Sequence, residues 1–204
     1  MRKVSKLQLI LSWVAVIGMA VSFLADASAI VVNTDYNILT NSVSSLAWGP
    51  MGWIQVLSFY CFGISVAACA YGLYLSLKHD LRPSIGVVCL MVVSISFLFI
   101  GTFNAVPEGA PMTLSGYIHD ISSFFSAIFF IAGSFVIAPS LKDDHETLFH
   151  YTLATGMLSL ILLGGDRLPT DWPWIGLRER VEGINAAIWI VVMSIAVVRK
   201  DRTL

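Results

Sequence analysis

The sequence predicts an all-α, polytopic membrane protein: a bundle of six transmembrane helices with both termini in the cytoplasm. Three observations predict it. Of 204 residues, 57% are apolar and only 12% charged, whereas soluble domains are nearer half apolar and a quarter charged. The mean hydropathy is +0.81, and the apolar residues fall in blocks long enough to cross a bilayer. The lysines and arginines gather in alternate connections between those blocks. A net charge of −1 offers no basic face for nucleic acid and no acidic tail.

The spans are expected at residues 7–32, 53–77, 84–105, 114–138, 148–165 and 181–198, forming one transmembrane domain over 1–204. Each has roughly the 17–25 residues that a ~30 Å hydrocarbon core demands. Helices are the expected form, because lipid offers a backbone no hydrogen-bond partner.

The first span follows Arg2, Lys3 and Lys6 and carries Ser22 and Asp26 one turn apart. Its start, with Ala27-Ser28-Ala29 downstream, also resembles a secretory signal. The apolar run from Leu7 to Leu24 is longer than a signal requires, which favours an uncleaved helix. The second span holds a stripe of small residues, Ser58, Cys61, Ser65, Cys69 and Gly72, at steps that permit close helix approach. All three cysteines, Cys61, Cys69 and Cys89, lie in the second and third spans and read as packing residues. The third span ends in Thr102 and Asn104. On the fourth, Ser115, His119, Ser122 and Ser126 share one helical face, with Phe124, Phe125 and Phe129 elsewhere. The fifth, from 148, carries His150 near its start, and on the sixth Arg178, Glu182, Asn185 and Trp189 recur at helical spacing.

Nine of the twelve cations (Arg2, Lys3, Lys6, Lys78, Arg82, Lys142, Arg199, Lys200, Arg202) fall on one side, and the positive-inside rule makes that side cytoplasmic. Trp48, Trp53, Trp172 and Trp174 then sit near the outer boundary, where interfacial aromatics belong. The expected location is a prokaryotic inner or plasma membrane.

Chemistry is expected at the outer face. The inner connections are short charged turns, whereas the outer ones at 33–52, 106–113 and 166–180 hold Asp35, Glu108, Asp166, Asp171 and Glu179. Ionisable groups deep in a span cost about 2.5–3.5 kcal/mol on insertion scales, so they turn inward and pair. This implies a polar pocket lined by the first, third, fourth and sixth spans; simple solvation of the rim is the competing reading. His119, Asp166 and Glu179 are the candidate catalytic set, with His119 a general base oriented by one of the carboxylates. Ser42 or Ser45 could be a nucleophile, although no Gly-x-Ser-x-Gly elbow is present. On this view His119→Ala removes activity and leaves stability nearly intact. Asn41, Ser45, Asn104, Asp120, Arg167, Arg178, Arg180 and Glu182 are the candidate ligand-binding residues. The arginines can fork onto phosphate or pair internally with the neighbouring carboxylates.

No cofactor is expected. His119 is the only histidine on the outer side, so a metal site would need Asp26, Asp120, Asp166, Glu179 or Glu182 and would suit calcium or manganese. Bis-histidine haem is excluded on the same count. The best functional reading is binding or processing of a lipid or amphiphile at the outer leaflet. Alternatives are an accessory subunit of a larger membrane complex, with a membrane-protein partner or a second copy, or a small-solute transporter using Asp26.

Several short motifs carry a resemblance. Asn41-Ser42-Val43-Ser44-Ser45-Leu46, followed by Trp48-Gly49 and Gly52-Trp53, looks like an Asn-x-x-Ser-x-Leu opening. Gly101-Thr102-Phe103-Asn104, His119, and Gly176-x-x-Glu179-Arg180 follow in order. Over about residues 8–198 the chain resembles the uncharacterised prokaryotic membrane family known as domain of unknown function 998. It departs from that pattern at Asn104-Ala105, where proline is commoner, and at Ser44-Ser45, in place of Ser-Asp. A more distant likeness to eukaryotic six-helix proteins of lipid remodelling and autophagy implies, by analogy, a lipid substrate class.

Overall fold

Six long helices account for nearly all of the computed structural model, which describes residues 4–49, 51–77, 80–107, 109–142, 145–164 and 174–199. They are α1 (Lys6–Val32), α2 (Trp53–Ser76), α3 (Leu81–Thr102), α4 (Leu114–Ile137), α5 (Glu146–Gly164) and α6 (Ile175–Arg199). A 3-10 segment, Val43–Ala47, lies between α1 and α2, and a second, Ala138–Leu141, extends α4. All six helices are long and apolar enough to cross a membrane, consistent with a six-span bundle.

Two helix starts differ from expectation by three residues or more. The third helix begins at Leu81 and takes Pro83 into its first turn, where a missing N–H leaves no bond unmade. The sixth begins at Ile175, because its polar first turns are held by protein partners that hydropathy does not register.

Local chemistry sets the ends. Ser5 and Gln8 form a reciprocal capping box at the start of α1, and the Gln8 amide also donates to Ser76 Oγ at 2.9 Å. Thr113 caps α4 by accepting from the Gly116 N–H at 3.1 Å. α1 runs unbroken through Ala27–Ala29.

α1 packs on α2 and α6, α2 on α3 and α6, α3 on α4, α4 on α5, and α5 on α6. The ring therefore closes, with α2 also reaching across to α6. Val66, Leu73, Leu90, Ile137, Trp189 and Ile190 are among the core residues. Small residues let backbones approach, as the α2 stripe suggested. Ser58, Ser65 and Cys69 are buried, and a Cβ on Gly18 of α1 would collide with Ser65. Polar groups inside the bundle pair between helices. Ser22 Oγ donates to the Ser58 carbonyl at 2.9 Å, Trp189 Nε1 to Thr152 Oγ1 at 3.0 Å, and Asn185 Nδ2 to the Thr155 carbonyl at 3.1 Å. Large apolar side chains such as Ile10, Trp13, Leu24, Val88 and Ile161 point outward, as expected for surfaces that meet lipid tails. An apolar groove of about 480 Å³ between α1 and α2 includes Trp13, Ile17 and Ile64.

The start of α1, the end of α2, the second 3-10 segment and the end of α6 lie at one end of the bundle. The opposite, distal end carries the α1–α2 connection and the described part of the α3–α4 connection.

Candidate functional site

The α1–α2 connection crosses the distal end and is fastened on both sides. On one side, the Leu177 N–H donates to the Leu39 carbonyl at 3.2 Å, and the Val43 N–H donates to Glu179 Oε2 at 2.7 Å. Gly176 makes this contact possible, because a Cβ there would run into the Asn41 and Ile38 carbonyls. On the other side, Trp48 Nε1 donates to the Ala105 carbonyl at 3.0 Å, beyond the end of α3. The connection thus forms a cap tied to α6 and to the α3–α4 connection.

The cap brings Ser44 to His119. Ser44 Oγ lies 2.8 Å from His119 Nε2, and His119 Nδ1 lies 2.8 Å from the Phe103 carbonyl. A carbonyl only accepts, so Nδ1 carries the hydrogen. In the neutral ring Nε2 is then the acceptor, and the Ser44 hydroxyl donates to it. His119 is 4% exposed, whereas Ser44 is half-buried. Phe103 is the C-cap of α3, so the imidazole N–H points at the negative end of a helix dipole.

Beside this pair, α1, α2 and α6 build a second polar group. Arg180 Nη2 lies 3.9 Å from Asp26 Oδ1, with side-chain exposures of 12% and 21%. The guanidinium carbon sits 5.2 Å from the centre of the Tyr36 ring, a cation–π arrangement. Nη1 makes long contacts with the Ile38 and Gly176 carbonyls at 3.5 and 3.4 Å. Arg180 Nε and Nη2 have no hydrogen-bond acceptor, and the Asp26 separation exceeds hydrogen-bond length. Gln55, near the start of α2, lies against Asp26. It is 0% exposed; the Asp26 carboxylate is the polar group beside its amide, and neither amide atom makes a close hydrogen bond. Burial pushes the Tyr36 hydroxyl above the usual tyrosine range, and the adjacent Arg180 opposes the shift. That hydroxyl donates to the Asn41 and Ser42 carbonyls at 2.9 and 3.1 Å.

With these contacts established, comparison with known proteins adds one finding. The family profile described as "Protein of unknown function (DUF998)" matches residues 16–196. The chain belongs to this family. No curated protein and no solved structure matches it. Family and helices together make it an integral, multi-pass membrane protein, consistent with a prokaryotic inner or plasma membrane. Several residues of the motifs that resemble the DUF998 pattern meet at the cap. Ser44 and Phe103 bond His119, Glu179 bonds the residue before Ser44, and Gly176 admits the chain at Asn41.

Several expected roles change in this DUF998 protein. His119 is not oriented by a carboxylate, because Ser44 and Phe103 take both ring nitrogens. Glu179 instead holds Val43. Asp166 and Arg167 lie outside the described residues. The serine beside His119 is Ser44, not Ser42 or Ser45; Ser45 Oγ donates back to the Ser42 carbonyl at 2.7 Å. His119 also joins α4 to the end of α3 and to the cap. The Asn41 side chain accepts from the Asn37 N–H at 2.7 Å and closes its own loop. Asn104 and Asp120 are exposed, with Asp120 a helical step away from the His119 face. Arg178 Nη1 reaches the Leu162 carbonyl at 3.4 Å, in the last turn of α5. Glu182 is half-buried and partnered. Among the described residues, no three His, Cys, Asp or Glu side chains converge as metal ligands.

Gln55, Tyr36 and Ser44 were missed as site residues. Gln55 left a signal, an amide standing in an apolar span. Ser44 had one too, as the serine of the Asn-x-x-Ser motif.

Proposed function

We propose that the protein binds a lipid or other amphiphile at the distal membrane face, with the headgroup meeting Asp26, Gln55 and Arg180. The observation that carries this reading is the enclosed polar group of Asp26, Gln55 and Arg180: Gln55 is fully buried with only the Asp26 side chain against its amide, and Arg180 Nε and Nη2 have no close acceptor. A buried polar group without a close partner costs about 1–3 kcal/mol by protein mutational data, so such a group points to a polar guest. Arg180 Nε and Nη2 and the Gln55 nitrogen can donate to phosphate or ester oxygens. The Gln55 oxygen and Asp26 can accept from a hydroxyl. A headgroup carrying both kinds of group suits the cluster better than a simple anion, which Asp26 would repel.

The leaflet follows from charge. Nine of the twelve lysines and arginines belong to the N-terminal segment, the C-terminal tail and the connections near the termini. By the positive-inside rule the distal face is then the outer one.

Native mass spectrometry of the full-length protein, released from mild detergent, tests the reading. Wild type is expected to retain a defined lipid class, and Arg180→Ala and Gln55→Leu to lose at least tenfold of it. Equal retention by all three overturns it.

A further inference from the structure

We infer that Ser44 and His119 form an acyl-transfer centre in which Ser44 is the nucleophile and His119 its general base, acting on an ester of the bound amphiphile. The substrate class rests on the headgroup reading above, whereas the reactive pair rests on its own geometry.

Four features separate this pair from a simple structural hydrogen bond. Ser44 Oγ and His119 Nε2 are 2.8 Å apart, within the reach that base and nucleophile require. The Phe103 carbonyl fixes the tautomer in which Nε2 has a free lone pair facing the hydroxyl. Other serines in the bundle, including Ser65, Ser76, Ser84 and Ser123, spend their hydrogens on carbonyls one turn back in their own helices. Ser44 spends its hydrogen on an imidazole. The base is enclosed at 4% exposure, while the nucleophile is half-open, so a substrate can reach oxygen without water flooding nitrogen.

The third member is the carboxyl end of α3. A triad carboxylate orients the imidazole and stabilises the imidazolium that forms. Here the Phe103 carbonyl orients it, and the negative end of the α3 dipole faces the new positive charge. The headgroup cluster is linked to this centre through one hydrogen bond: Arg180 follows Glu179, which accepts from the N–H of Val43, the residue before Ser44.

In the first step Ser44 Oγ attacks the ester carbonyl carbon while its proton moves to His119 Nε2. The carbonyl π pair moves onto oxygen. The tetrahedral adduct collapses, the bond from carbon to the leaving alkoxy oxygen breaks, and Nε2 returns the proton to that oxygen, releasing an alcohol and leaving acyl-Ser44. In the second step a hydroxyl, from water or from an acceptor alcohol, loses its proton to Nε2 and attacks the acyl carbon. The C–Oγ bond breaks, and the proton passes back to Ser44.

A long-chain alkyl fluorophosphonate, incubated with the detergent-solubilised full chain and followed by peptide mass spectrometry, reads the nucleophile directly. Wild type is expected to carry the adduct on the Ser44 peptide. Ser44→Ala should carry none there, and His119→Gln, which keeps a polar side chain but cannot take the proton, should label about 100-fold more slowly or less. Thermal melts establish that both variants are folded; the wild-type result stands even if one is not. A wild type that retains lipid but takes no probe on Ser44 overturns acyl transfer and leaves the headgroup site in place. Undiminished labelling in folded His119→Gln also overturns it. Labelling at Ser44 without any lipid retention supports the reactive pair and counts against the headgroup site alone.

Discussion

Glu179 Oε2 accepts the Val43 N–H at 2.7 Å, so the last helix holds the residue next to Ser44. The two residues are 136 positions apart in sequence. Through this contact α6 sets where the cap lies, and the cap sets where Ser44 meets the imidazole on α4. Glu179 thus positions the cap, one residue removed from the Ser44–His119 pair.

Glu179→Ala should lower stability by about 1–3 kcal/mol, the range for losing a charge-assisted hydrogen bond to a partly buried donor. Glu179→Gln, still an acceptor, should lose less. Thermal melts in detergent rank the variants, and hydrogen exchange should show the Val43 amide losing protection only in the alanine protein. Unchanged protection in Glu179→Ala would mean that another group holds the cap.

Gln55→Leu should stabilise the protein, by about 1–3 kcal/mol, because it removes a buried amide that makes no close hydrogen bond and has only the Asp26 side chain beside it. The same change should abolish lipid retention. A destabilised Gln55→Leu would show that the contact with Asp26 contributes to the resting fold.

Gly176→Ala should loosen the cap. The added methyl would meet the backbone carbonyls of Asn41 and Ile38, which cannot rotate aside as a side chain can. Overpacking of this kind costs about 1–3 kcal/mol. Limited proteolysis within 33–49 should proceed faster in the variant than in wild type, and an unaltered rate would argue against the close approach.

Tyr36 predicts a stability loss in alkali. Burial favours its neutral form, and its hydroxyl donates to two carbonyls. Because its folded value lies above the ordinary one of about 10, its contribution is complete below that pH and is lost as pH rises through the folded value. The melting-temperature difference between wild type and Tyr36→Phe should therefore shrink above about pH 10. A constant difference would place the hydroxyl in water.

The helices were legible because bilayer thickness imposes a length that hydropathy records. Trp53 and Leu114 were read as helix starts and are so. Hydropathy did not register the six residues by which α6 extends beyond the expected start, since Arg178, Glu179 and Arg180 are charged and their partners lie on a loop and on α5, although the helical spacing of Arg178 with Glu182 already pointed there. His119 was legible as a polar residue on an inward face. Its partners were not, for two reasons. A backbone carbonyl such as that of Phe103 has no signature in a side-chain reading. The choice among Ser42, Ser44 and Ser45 turns on the 3-10 geometry of Val43–Ala47, where successive side chains are about a third of a turn apart. Gln55 gained meaning only when Asp26 and Arg180 came beside it from two other helices.

The clamp on Val43 has a consequence for biogenesis. Ribosomes deliver this chain from its amino terminus, so Ser44 leaves the translocon long before Glu179 is made. A chain stalled after its fifth helix would hold the serine and the imidazole but lack the strut that seats them together. The seating of Ser44 against His119 would then be completed only once α6 has been made.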